Sequence, residues 1–233
     1  MRFLVASLLL ALALLAPARG AAQSLIVGIP NAETTPRGRF ALTHESQALV
    51  FKQPVAWNSF SFLTYGVTDH VEASVALTGL SAPRSGELAL GAGFKWVVPL
   101  FEASAHAWEL RLTLGASALF SLDRPAVGGW GYAHGSFRIP RAHTRITAGV
   151  SYGSDVLFGA GHTPVAAMVG VEQPITDWFW LVADWYSGRH ALGAFIPAVQ
   201  FNVGRFAIIA GYKFDNDRAR PSDAVILEVM AML

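Results

Sequence analysis

His134 and Ser136, separated by Gly135, have the types and spacing of a base and its nucleophile. On an extended strand, residues two apart leave the same face, so the imidazole could take the hydroxyl proton. A working site also needs a third group to orient the histidine. A larger set shares one strand face by parity: Glu45, Glu72, Lys95, Glu109, Arg111, Arg138, Arg145, Glu172, Asp184, Lys213 and Glu228. Both signs occur in near balance. Two kinds of chemistry stay open for them. They could line a wet pore and select solutes, or they could pair with one another and fill a narrow lumen. Many neighbours of the same parity are Gly, Ala, Ser or Thr, which leaves room for water. No histidine pair has metal-ligand spacing. Asp215, Asp217 and Asp223 share a stretch with Arg218 and Arg220, so a solvated loop is expected there and no metal.

The elements that must position these groups are strands. From Leu88 to Val98 and again from Trp108 to Phe120, every second residue is apolar. The alternate positions are small or charged: Gly91, Gly93 and Lys95, then Glu109, Arg111, Thr113, Gly115 and Ser117. A period of two means extended chain. Each run exceeds ten residues, above the ~5–6 of an ordinary strand and near the ~9–11 that cross a bilayer at a tilt. A greasy face backed by a small polar one is the pattern of a membrane barrel strand. A soluble sandwich strand also alternates, but its outward face carries Lys, Glu, Thr and Ser rather than Gly and Ala.

The chain opens with Met1-Arg2, an apolar run from Phe3 to Ala16, and Pro17 to Gln23 rich in small residues. That order reads as a secretory signal peptide over residues 1–22. The apolar run is shorter than the ~18 residues of a spanning helix. About 210 residues remain, in which 15 basic residues face 16 acidic ones. No basic stripe points to nucleic acid. There is no cysteine, and only 14% of residues are charged while 53% are hydrophobic. An apolar secreted chain without spanning helices has one common membrane form, the closed sheet.

Residues 23–38 have no period and hold two prolines. They read as a flexible periplasmic N-terminal lead-in, with folding of so short a segment into the lumen as the alternative. From 39 to 233 the pattern yields about twelve strands: 39–50, 57–67, 71–80, 87–98, 107–120, 129–139, 143–153, 163–172, 178–187, 191–203, 206–214 and 223–233. Tight turns at 68–70, 139–142, 173–177 and 204–205 alternate with mostly longer loops, as short periplasmic turns alternate with outer loops. A break is expected at Pro99–Ala107. Aromatic residues fall near strand ends: Trp57, Phe120, Trp130, Tyr152, Trp185 and Tyr212 at one end, Trp96, Trp108, Trp178, Phe201 and Phe206 at the other. Two interfacial girdles follow from that placement.

The last strand alternates Val225, Leu227, Val229, Ala231 and Leu233 with Ala224, Ile226, Glu228, Met230 and Met232. A terminal strand with an apolar last residue resembles the C-terminal insertion signal of Gram-negative outer-membrane barrels, although Leu233 stands where that signal favours Phe or Trp. The stretch YGVTDHVEASVALTGL, Tyr65 to Leu80, resembles a hairpin common in uncharacterised outer-membrane barrels, the aromatic-compound channel family among them. TPRGRFAL leading into the first strand is similar; together these cover about thirty residues. His134 and Ser136 resemble the His-x-Ser of the outer-membrane phospholipase and the lipid A deacylase. The phospholipase adds an Asn on the neighbouring strand, whereas the Asn residues here are Asn31, Asn58, Asn202 and Asn216. The deacylase has Asn after the Ser, where Phe137 stands.

The sequence thus predicts an all-β, single-domain transmembrane up-and-down antiparallel barrel in the outer membrane of a Gram-negative cell. Its expected role is porin-like transport, the passive passage of small solutes. A structural or adhesive barrel with a filled lumen comes second, and a lipid hydrolase using His134 and Ser136 third. No enzyme activity and no cofactor are expected. The expected partners are outer-membrane lipid, the assembly machinery through the C-terminal strand, and small solutes.

Overall fold

The structure is a computed structural model that describes residues 25–52, 54–83, 87–102, 108–219 and 222–233. The expected signal peptide lies outside the described residues. Twelve strands form: β1 (Phe40–Leu49), β2 (Ala56–Gly66), β3 (Val71–Ala82), β4 (Ala89–Glu102), β5 (Glu109–Ser121), β6 (Val127–Arg138), β7 (Arg145–Gly153), β8 (Val165–Pro174), β9 (Phe179–Tyr186), β10 (Ala194–Val203), β11 (Phe206–Asp215) and β12 (Ala224–Met232). One helical turn, α1 (Asp155–Phe158), interrupts them. Each strand pairs antiparallel with its chain neighbours, and β1 pairs β12, so the sheet is a closed barrel. Closure leaves no unpaired edge, which a sheet in lipid requires.

Alternation sets the two faces. In β1 the odd-numbered residues from Ala41 to Leu49 are buried, while Phe40, Leu42 and His44 are exposed. The outer wall carries Leu42, Phe94, Leu110, Val150, Val169 and Leu227, each between 39% and 53% exposed. A continuous apolar wall of this kind has no place on a soluble monomer and is what a lipid-facing band requires. The interior holds Glu72, Lys95, Glu109, Thr113, Thr147 and Glu172, all buried. Among the described residues no helix is long and apolar enough to cross a membrane.

Three expectations are corrected. First, β4 runs on through Pro99 to Glu102, with a register shift against β5 between Pro99 and Phe101. A bulge admits a residue without an N–H, so the proline bends the strand rather than ending it; residues 103–107 lie outside the described residues. Second, Trp130 shares the parity of buried His134 and lines the lumen. Nearness to a strand end did not decide its face; parity did. Third, residues 25–35 are not a flexible lead-in. Ile26, Val27, Ile29, Ala32 and Thr35 are at most 1% exposed, because they fold inside the barrel.

The C-terminus contributes to closure. The Met232 N–H donates to Arg205 O at 2.9 Å, and that of Leu233 to Phe40 O at 2.8 Å. Deleting Met232 and Leu233 removes both bonds, one to the β10–β11 turn and one across the β1–β12 seam, and shortens the strand that closes the barrel, where backbone groups left unpaired in lipid cost several kcal/mol each. The expected result is loss of the heat-modifiable folded band on detergent gels. Normal assembly of the truncated chain would sink the role assigned to this end.

Candidate functional site

The interior segment enters the barrel past Gly66 of β2. A Cβ there would lie 2.2 Å from Pro36 O and 2.3 Å from Thr35 O, so only glycine lets the chain cross this strand so closely. Thr35 donates its N–H to Glu72 Oε2 at 2.7 Å, and its hydroxyl pairs with Thr64 at 2.6 Å. Further in, Glu33 bridges two guanidinium groups. Its Oε2 accepts from Arg111 Nη1 at 2.9 Å, and its Oε1 pairs with Arg145. Arg111 Nη1 also donates to Ala32 O at 2.9 Å.

The segment then reverses. Leu25 bridges Pro30, and the Ile26 N–H donates to Ile29 O at 2.8 Å. The turn aims three successive N–H groups at one carboxylate. Asp184 Oδ2 accepts from Val27, Gly28 and Ile29 at 3.0, 2.7 and 3.1 Å. Convergent backbone donors form an anion-binding nest; here the anion is a side chain of the barrel wall. Ile26 and Ile29 meet Gly170 of β8, where a Cβ would lie 2.4 and 2.7 Å from their Cδ1 atoms. Their other neighbours are apolar residues of β8 to β12, including Met168, Val182, Ile196, Ile209 and Ile226.

The charged residues named from the sequence all fall on the inner wall, in three groups. Arg111, Arg138 and Arg145 meet Glu109 and Glu172 as well as Glu33. Arg111 Nε lies 2.9 Å from Glu109 Oε1, Arg138 pairs with Glu109 Oε2, and Arg145 lies 3.7 Å from Glu172. Lys95 lies 3.1 Å from Glu72. It does not approach Glu109 or Arg111, because the register sets Lys95 opposite Gly115 and Pro99 opposite Arg111. Asp184, Glu45, Glu228 and Lys213 form the third group. Glu45 and Glu228 are directly opposite in the β1–β12 register, and Lys213 donates to Ala191 O at 3.1 Å.

His134 and Ser136 are brought together, with Ser136 Oγ 3.3 Å from His134 Nδ1 and 2.7 Å from Thr147 Oγ1. Both face the lumen and are 2% exposed. The second ring nitrogen, Nε2, has no hydrogen-bond partner among the described residues, so no third group orients the ring. The pair is away from lipid and lacks the third member of a triad.

Sequence reasoning missed Glu33 and the 26–29 turn. The signal was the run Leu25-Ile26-Val27 followed by Ile29, too apolar for a solvated tail. Trp180 was also missed; it lines a vestibule of about 680 Å³ at the tight-turn end, with Arg138, Arg145, Glu172 and Asn202. On the loop side of the segment lies a smaller cavity of about 100 Å³, lined by Val27, Phe60, Phe62, Trp130, Tyr186 and Ile196 among others. There Phe158 of α1 stacks on His190 with centroids 3.9 Å apart. Burial holds the His190 imidazole below its ordinary value, so it stays neutral in this stack at neutral pH.

Glu33 makes the arrangement sensitive to acid. Burial alone would push its carboxyl up, but Arg145 and Arg111 outweigh burial and hold it below the ordinary 4.5. A group lowered in the folded arrangement anchors fully above its ordinary value and is lost as pH falls through the lowered one. Release of the segment, read as the reactivity of a cysteine placed at Ala32 relative to one at the exposed Arg39, which cancels the fall of thiolate with pH, should stay flat down to 4.5 and rise only below it. A rise already near neutral pH would assign the response to another group.

No family model matches the chain, and no curated protein does. Solved structures that it resembles include the outer membrane protein Omp33 of Acinetobacter baumannii, with a TM-score of 0.46 and 10% identity over 84% of this chain and 98% of that one. The COG4313 outer membrane channel from Pseudomonas putida F1 gives a TM-score of 0.49 and 10% identity over 87% and 98%. The translocator domain of the autotransporter NalP from Neisseria meningitidis gives 0.37 and 10% over 83% and 87%.

Proposed function

We propose that this barrel is an outer-membrane channel for passive passage of small solutes, closed in the arrangement seen here by residues 25–35. The observation that carries the reading is how the segment is held. It shares no strand of the sheet, and its anchors are side chains: Asp184, Arg111, Arg145, Glu72 and Thr64. Such contacts can part and re-form while the barrel stays shut as a sheet. With the segment withdrawn, the exposed wall would be apolar along much of β8 to β12 and charged around Glu72, Arg111, Arg145 and Asp184, and those charges would act on passing ions as a local field. The reading places the chain in the outer membrane of a Gram-negative cell. Outer-membrane lipid would lie against the apolar wall, the assembly machinery would engage β12, and small solutes would cross the lumen. It needs no cofactor and assigns no catalysis to the lumen.

A structural barrel with a filled lumen is the second reading. It is favoured by the apolar contact of Ile26, Val27 and Ile29 with β8 to β12, which makes part of the segment a core. Planar-bilayer recording of the full chain and of a chain lacking residues 25–35 separates the two. The truncated barrel should conduct steadily while the full chain is mostly silent. A truncated barrel that is folded and heat-modifiable yet silent would overturn the channel and favour the filled barrel.

A further inference from the structure

We propose that His44, Ser46 and Ser61 form a serine-nucleophile site on the membrane face of the barrel, acting on the carboxylic ester of a membrane lipid. The inference is independent of the transport reading and rests only on the outer wall facing lipid. His44 is exposed and points outward from the middle of β1. Its Nε2 lies 3.1 Å from Ser46 Oγ, two residues along the same strand, and its Nδ1 lies 2.9 Å from Ser61 Oγ on β2, its partner in the register. With Nδ1–H donated to Ser61, Nε2 carries the lone pair that receives the Ser46 proton. Nucleophile, base and orienting group are thus within hydrogen-bond reach of one another. At His134 the second nitrogen is unpartnered and the site is shut in the lumen; here both nitrogens are engaged and the site is open.

The surroundings fit an acyl substrate. Leu42, Leu63, Leu227 and Val229 are exposed on the same wall, in register with or next to the three polar residues. A histidine between two serines is an expensive choice on a wall that otherwise meets hydrocarbon. Ser46 lies two residues from the Ala48–Trp57 pair, roughly 7 Å along a strand rising ~3.3 Å per residue. Tryptophan prefers the headgroup level, which puts Ser46 near the depth of ester bonds.

The chemistry balances with water as the second reactant. Ser46 Oγ bonds to the ester carbonyl carbon as its proton passes to His44 Nε2. The tetrahedral species expels the lysolipid alkoxide, which takes that proton and leaves as the alcohol. Water then attacks the acyl-serine with His44 as base, releasing the fatty acid and restoring the hydroxyl. Ser61 touches no reacting atom and is a positioning residue.

The test uses the folded full chain in detergent micelles and in phosphatidylethanolamine vesicles. A fluorophosphonate probe should label Ser46, as mapped by mass spectrometry, and the vesicles should yield lysolipid and fatty acid in equal amounts. Ser46→Ala should abolish both signals, and His44→Gln should lower them by about 100-fold or more. Ser61→Ala should lower kcat with little change in KM, and Ser61→Thr should restore it. Ser136→Ala should leave both signals intact. A heat-modifiable wild-type barrel that takes no label overturns the site, as does label confined to Ser136. Label on Ser46 without release of fatty acid overturns the lipid-ester assignment.

Discussion

Replacing Asp184 by alanine should raise the open probability of the barrel in a planar bilayer by about 10- to 100-fold. The carboxylate receives three N–H donors of the interior turn through one oxygen. Hydrogen bonds to a charged group contribute roughly 1.5–3 kcal/mol each, and each 1.4 kcal/mol is about tenfold in an equilibrium. Three bonds to a single oxygen do not add, so the loss of about one to two tenfold steps is the reasonable scale. The barrel itself should not weaken. Asp184 shares its half of the lumen with Glu45 and Glu228, which stand directly opposite each other, so removing one acid relieves repulsion. Conductance and resistance to heat should therefore move apart: conductance up, the folded band unchanged or more resistant. Asp184→Asn keeps an oxygen acceptor without the charge and should fall between. Equal conductance in wild type and Asp184→Ala would mean that the apolar contacts, not the nest, hold the segment.

The second large effect is expected at Arg145. This guanidinium meets Glu33 of the segment, Glu109 of β5 and Glu172 of β8, and it is 7% exposed. Changing it to Glu puts four carboxylates around one buried point, with Arg111 and Arg138 left to balance them. Breaking a buried ion pair from one side costs roughly 3–5 kcal/mol, because the other charge stays buried and unpaired. The variant should assemble poorly, and what assembles should unfold at lower urea and leak. Arg145→Met removes the positive charge without adding a negative one, so its loss should be smaller. Arg111→Glu should open the channel rather than unfold it and should shift selectivity toward cations. Its side chain is 18% exposed and it binds the segment through Glu33 and the Ala32 carbonyl. If Arg145→Glu assembles as well as wild type, the group is wet and the interior of this half is not a sealed network.

What the sequence determined on its own is local. A period of two needs only neighbouring residues, and it predicts about twelve strands and places the eleven charged residues from Glu45 to Glu228 on one face of them. Where a local cue competes with parity it misleads: nearness to a strand end points Trp130 to a girdle although it lines the lumen, and Pro99 reads as a stop although β4 continues to Glu102. The pairings inside were beyond reach because they depend on register between strands. Lys95 has the right face to meet Glu109 or Arg111, yet a stagger of several residues gives it Glu72 instead. Residues 25–35 have no period, and the bonds within the segment fix only its turn, Leu25 to Pro30 and Ile26 to Ile29, and the Asn31–Glu33 step. Their remaining polar groups find partners in a cavity assembled from β2, β3, β5, β7 and β9, whose wall provides Thr64, Glu72, Arg111, Arg145 and Asp184. His44 and Ser46 could be read as one spacing among many, but Ser61 joins them only when β1 and β2 pair. Side-chain alternation follows from backbone geometry residue by residue, whereas complementarity between distant groups exists only after the sheet has closed and brought them within a few ångströms.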